Sequence, residues 1–148
     1  MKKLILLSFL LLNFSAVAQS NPEDLVKEFF KAFHAQDTVA LKKLAQFGTQ
    51  METAALDESG KVQFSSMEYD EFLERIASIP AEAEFEEVLH EYRVEKNGVL
   101  ATVTTPYSFY FNGNFSHCGV NSFQMVNFND TWKITYVIDT RTKTDCKE

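Results

Sequence analysis

The side chains best suited to chemistry are His90, Tyr92, Tyr107, His117 and Tyr136. Strand alternation and turn spacing gather them on one face of a sheet. An imidazole within reach of a phenol can exchange protons near neutral pH. His90 or His117 would then be the general base of an isomerase, dehydratase or cyclase, and a neighbouring tyrosine would polarise a carbonyl. The same residues could instead line a pocket that holds a small, flat or apolar organic ligand. A third reading makes them hydrogen-bonded edges of the core. The lack of a recognisable catalytic set favours a non-catalytic binding pocket over an enzyme.

Other polar residues carry weaker signals. His117 adjoins Asn112-Gly113-Asn114, at a pocket rim or in solvent, and His34 flanks the first helix beside Phe33. Asn121 could orient a ligand or satisfy a strand edge. Between Glu68 and Glu95 ten acids accompany only Arg75 and Arg93. They fall on outward positions, as a solvated face does, and not as the paired carboxylates of a glycosidase. Asp139 and Arg141 share one face of the last strand and read as a surface ion pair. No nucleophile elbow, zinc-binding helix, C-x-x-C, P-loop or dinucleotide fingerprint occurs, so neither cofactor nor metal is expected.

Charge narrows the partners. The chain has 148 residues, with 14 Lys and Arg against 21 Asp and Glu, and a formal net charge of −7. That balance disfavours nucleic acid and anionic membranes. Lys2 and Lys3 precede an apolar run, Leu4 to Leu12, followed by Ala16-Val17-Ala18. A basic start, a short apolar core and a small-residue cleavage site describe a signal peptide over 1–18. The run is far below the roughly 20 residues needed to span a bilayer. The mature chain, 19–148, is expected to be exported, periplasmic or secreted, as one domain with no membrane contact after cleavage. In an oxidising compartment Cys118 and Cys146 are expected to form one disulfide.

The elements follow from caps and periodicity. Asn21-Pro22-Glu23-Asp24 opens a helix whose apolar face is Leu25, Phe29, Ala32 and Phe33. Asp37 caps a short second helix that Gly48 is expected to stop. Gln50 to Leu56 and Lys61 to Phe64 suggest a weak hairpin. Ser65-Ser66-Met67-Glu68 reads as a capping box for a third helix presenting Tyr69, Phe72, Leu73 and Ile76. Beyond Pro80 the period becomes two, with one strand over 87–95 and Asn97-Gly98 as hairpin turn. Val99 to Phe111, Phe115 to Phe128 and Thr131 to Arg141 complete a four-stranded antiparallel meander. The layout is α+β, with helices on one sheet face.

Turn lengths set the expected register. A loop at Asn97-Gly98 pairs Val88 with Tyr107, His90 with Thr105, and Val94 with Ala101. A bulged three-residue loop at Asn112-Gly113-Asn114 sets Phe109 opposite His117. A loop at Asn129-Asp130 pairs Trp132 with Asn127, Ile134 with Met125, Tyr136 with Phe123, and Ile138 with Asn121. The inner face so derived carries His and Tyr but no acid. The opposite face carries Leu89, Leu100, Val126 and Phe128, a thin apolar patch for a protein partner. Cys118 then lies opposite Arg141, and the tail must fold back for Cys146 to reach it.

With its entry helix, Ala35-Gln36-Asp37-Thr38-Val39-Ala40-Leu41, Gly119 to Val126 and Asn129 to Ile134, the chain resembles the nuclear transport factor 2-like superfamily. That fold is shared with ketosteroid isomerases and SnoaL-like polyketide cyclases. The chain is most similar to small exported bacterial members often called lumazine-binding-like. The resemblance covers about 25 to 141. It implies a cone-shaped curved sheet wrapped over three N-terminal helices, a pocket opening into the cone, and dimers packed sheet to sheet. The isomerases' Asp base and oxyanion-binding pair find no counterpart on the inner face derived above.

Overall fold

The computed structural model describes residues 21–146. The predicted signal peptide and cleavage site lie outside the described residues. Helix α1 (Pro22–His34) begins as its sequence dictates, with Asn21 Oδ1 accepting from the Asp24 amide over 2.9 Å. Helix α2 (Thr38–Leu44) is capped by Asp37, which accepts from the Ala40 amide. Strands β1 (Ala45–Leu56) and β2 (Val62–Glu68) precede helix α3 (Tyr69–Ala77), and β3 (Phe85–Leu89), β4 (Arg93–Asn97), β5 (Leu100–Phe111), β6 (Asn114–Phe128) and β7 (Thr131–Arg141) follow.

The seven strands form one mixed sheet in the order β2-β1-β7-β6-β5-β3, with β4 also on β5. The expected antiparallel meander is there, from β3 and β4 through β5, β6 and β7, but it is only part of the sheet. The weak hairpin is a full part of the sheet, and β1 runs parallel to β7, so the sheet is not purely antiparallel. Three helices pack on one face of this curved, unclosed sheet, two before β1 and the third after β2. Leu25, Val26, Leu41, Phe123, Met125, Trp132 and Ile134 form the core between them, each at most 2% exposed. Burying side chains of this size contributes roughly 1.5–3 kcal/mol apiece before entropy opposes it.

Two end signals are corrected. Helix α2 stops at Leu44 and not at Gly48, because Ala45 already pairs with Ile134 of β7. Gly48, at φ +80°, lies in the bulge that follows, where Thr49 Oγ1 donates to the carbonyls of Gln46 and Ile134. The Ser65-to-Glu68 capping box does not form either. Ser65 and Ser66 pair with Thr53 and Glu52 inside β2, and Glu68 precedes α3 with no side-chain cap bond.

Register decides which side chains face the helices. The expected strand over 87–95 is broken. Three residues, 90–92, separate Leu89 from Arg93 where β5 has only two between Thr104 and Tyr107. Val88 therefore pairs with Ser108, and Phe85, Glu87 and Leu89 turn inward while Val88 and His90 turn out. Leu89, expected outside, packs on the core. Val94 meets Val103, not Ala101. Phe109 does lie opposite His117, by a different route: Asn112-Gly113 is a two-residue turn, and Ser116 is the extra residue that restores the phase. On β7, Trp132 and Ile134 meet Asn127 and Met125 as expected. A bulge at Thr135 then sets Tyr136 opposite Gln124, and Val137 opposite Phe123.

Candidate functional site

Between α1, α3 and the inner sheet face lies a cavity of ≈ 370 Å³. Its apolar wall comes from the phenylalanine face of α1 and from α3. Phe29 and Phe33 stack on Phe72 with ring centroids 6.0 and 6.1 Å apart, and Phe29 meets Phe123 edge-on. Offset and edge-on rings of this kind present a flat apolar surface.

The polar wall belongs to the sheet. Glu87 of β3 enters the cavity because the break at 90–92 shifts β3 by one residue. Asn121 Nδ2 donates to Glu87 Oε1 over 2.5 Å. Burial pushes the Glu87 carboxyl up to about 7, aided by Asp139 and opposed by the Asn121 hydrogen bond and Arg141. At neutral pH this group holds its proton about half the time, so it can give or take one.

Beside it, Asp139 of β7 gathers three donors: Thr53 Oγ1 at 2.6 Å, the Tyr107 hydroxyl at 3.2 Å and Arg141 Nε at 2.7 Å. The Tyr107 hydroxyl is shared with the Thr140 carbonyl at 3.0 Å, and burial raises its pKa well above the usual phenol range. That same carbonyl crosses Gly119 so closely that a Cβ there would stand 1.7 Å from its oxygen, so only glycine fits. His117 stacks on Phe109 at 4.9 Å and meets Tyr107 edge-on at 5.8 Å. Burial, then Arg141, lowers its pKa, so its imidazole is neutral at pH 7.

Only two of the five expected residues, Tyr107 and His117, line the cavity. His90 is exposed on the outer face, its Nε2 3.0 Å from Ser108 Oγ. Tyr92 packs at the edge of the core under Lys27, whose Nζ lies 5.2 Å from the ring. Tyr136 is turned outward by the Thr135 bulge, and its hydroxyl donates to Glu52. The inward acids expected to be missing are present as Glu87 and Asp139, and the Asp139–Arg141 pair is part of the pocket wall, not a surface ornament. Asn121, weighed as a ligand-orienting residue, does face the cavity. Among the described residues no group of three or more His, Cys, Asp or Glu could hold a metal ion.

The chain end below this wall is stapled. Cys118 and Thr142 exchange two backbone hydrogen bonds of 2.9 Å, and the tail folds back to form the Cys118–Cys146 disulfide. The Thr135 bulge has moved the partner of Cys118 from Arg141 to Thr142.

No protein-family model and no curated protein matches the sequence. Solved structures do match. A nuclear transport factor 2-like protein from Cytophaga hutchinsonii superposes with a TM-score of 0.65 at 13% identity, covering 81% of this chain and 94% of that one. The chain has the nuclear transport factor 2-like fold. Other structures with this fold include a candidate dehydratase from Streptomyces avermitilis (TM-score 0.57, 16% identity, 81% and 92% covered). A candidate ketosteroid isomerase from Shewanella frigidimarina is also similar (0.58, 17%, 78% and 91%). At these identities the likeness is one of nuclear transport factor 2-like fold, and residue roles rest on the site itself.

Proposed function

We propose that the cavity binds a small, flat, largely apolar organic molecule whose carbonyl or hydroxyl group meets Glu87. The observation that carries this reading is the Glu87 carboxyl, held by Asn121 on the polar wall of a cavity whose opposite wall is phenylalanine. The rings supply area for burial, and one or two polar groups supply orientation. A volume of ≈ 370 Å³ suits a ligand of two or three fused rings. Calorimetric titration with 2-naphthol and 1-tetralone tests it. Binding that weakens in Glu87→Leu and changes with pH around 7 is expected; no heat and no thermal shift from any such flat probe would sink it.

A second reading, cofactor-free proton transfer as in an isomerase or dehydratase, is favoured by the same carboxyl. Glu87 would shuttle a proton next to a carbonyl held by the Asn121 amide, in place of the His–Tyr pair expected from sequence. His117 and Tyr107 support this poorly, since the Tyr107 hydroxyl is engaged by Asp139 and Thr140. Incorporation of deuterium from heavy water alpha to the 1-tetralone carbonyl, lost in Glu87→Gln, separates catalysis from binding.

The protein in this proposal works outside the cytosol. The segment Lys2 to Ala18 motivates export, and the Cys118–Cys146 disulfide suits an oxidising compartment. N-terminal sequencing of the protein from its host should begin at Gln19; a retained Met1 would refute cleavage.

A further inference from the structure

Glu87 sits on an edge strand. The Asn112 amide donates to the Glu84 carbonyl and the His90 amide to the Pro106 carbonyl, so the even-numbered residues of β3 face β5. The backbone N–H groups of Phe85, Glu87 and Leu89 therefore point away from the sheet. In a five-residue strand, an unmet N–H at the centre leaves little to fix the chain. At Glu87 that N–H is met from outside the sheet: it donates to His34 Nε2, at the end of α1, over 2.9 Å.

We propose that His34 is the positioning residue for Glu87, a latch from helix to edge strand that aims the carboxyl into the cavity. The inference rests on the reading of Glu87 as the group that meets the ligand. To accept, Nε2 must be unprotonated, so the neutral ring carries its proton on Nδ1. The ring of this partly exposed residue lies against Phe30, Phe33 and Phe85, with centroids 5.5 to 6.3 Å away. Burial there lowers the His34 pKa, and the Glu86 carboxylate on β3 works against it. Lys31 is the other basic group in the last turn of α1, and the Glu87 carboxyl itself points to the cavity. The lowered pKa favours the neutral, accepting ring, so the latch is closed at pH 7. It opens in more acidic solution, where a protonated Nε2 becomes a donor facing a donor.

NMR on the intact protein tests this without any ligand. His34→Phe keeps an aromatic ring but offers no acceptor. In that variant the Glu87 amide should exchange roughly ten-fold faster, the worth of one lost hydrogen bond. Its carboxyl midpoint should fall toward that of ordinary glutamate as β3 opens to water, while the Ile134 amide in the core stays protected. His34→Gln, which restores an acceptor oxygen, should recover most of the protection. In the unaltered protein the Glu87 amide nitrogen shift should follow the His34 ring titration. Unchanged Glu87 exchange and midpoint in folded His34→Phe would overturn the proposal. If that variant does not fold, a Glu87 amide shift that stays flat while His34 titrates overturns it equally. Failure of the flat probes to bind would remove the pocket reading and leave these readouts intact.

Discussion

Asn121 on β6 and Glu87 on β3 are joined by a 2.5 Å hydrogen bond although β5 lies between their strands. The amide spans the inner face diagonally and holds the carboxyl against the aromatic wall. Because an N–H donor favours the charged carboxylate, Asn121 restrains a pKa that burial drives upward. Asn121→Ala should raise the Glu87 midpoint further above 7, read by carboxyl carbon NMR. A midpoint that falls would show that water entry outweighs the lost bond.

Glu87 also makes stability depend on pH. Its folded pKa, about 7, lies above the ordinary value of roughly 4.3 for an unfolded chain. The folded state therefore binds more protons between those values. The stability lent by this group is fully present below about pH 4 and is lost as pH rises through 7. Glu87→Gln should be more stable than the unaltered protein at pH 8, by about 1–3 kcal/mol. The advantage should shrink toward zero at pH 4, in urea melts at both.

Asp139 should be costly to remove. Its side chain is 14% exposed and accepts from Thr53, Tyr107 and Arg141. Asp139→Ala leaves two hydroxyls and a guanidinium without that acceptor, and should destabilise by about 2–3 kcal/mol. Asp139→Asn should cost less, because one acceptor oxygen survives. Thermal denaturation of the pair checks the order.

The disulfide closes a separation of 28 residues. Replacing both Cys118 and Cys146 by serine should lower stability by about 2–4 kcal/mol. The loss should concentrate in the tail, where Thr142 amide exchange accelerates while that of Met125 does not. Alkylation of both thiols in unreduced, natively folded protein would show the bond is not formed.

Much of the fold was legible because it rests on local chemistry. Asn21, Asp37 and the phenylalanine face of α1 act within a few residues, and the Asn129-Asp130 turn fixes Trp132 against Asn127. The site was less legible because its faces depend on irregularities with no residue signature. Thr135 and Ser116 resemble any other strand residue, yet each shifts the phase by one. The phase that sets Phe109 opposite His117 was anticipated from apolar content, but its extra residue was expected in the Asn112-Gly113-Asn114 loop and not at Ser116. The shift at Thr135 was not anticipated, because Tyr136 and Val137 are both acceptable inside. Glu87 was hidden among ten acids, and a charge run gives no hint that one member is buried. The parallel pairing of β1 with β7 joins distant segments, which periodicity cannot report.

That long-range pairing has a consequence for the order of events during synthesis. Thr53 and Asp139 are 86 residues apart in the chain, and their hydrogen bond ties the first strand to the last. A nascent chain made only as far as residue 138 already carries Glu87, Asn121 and the phenylalanine wall, but has no Asp139 or Arg141 to close the polar side. Contacts of such separation form late, since loop closure must be met before they stabilise anything. The cavity is thus completed only once synthesis has passed Arg141, and ligand occupancy would distinguish such chains from shorter ones.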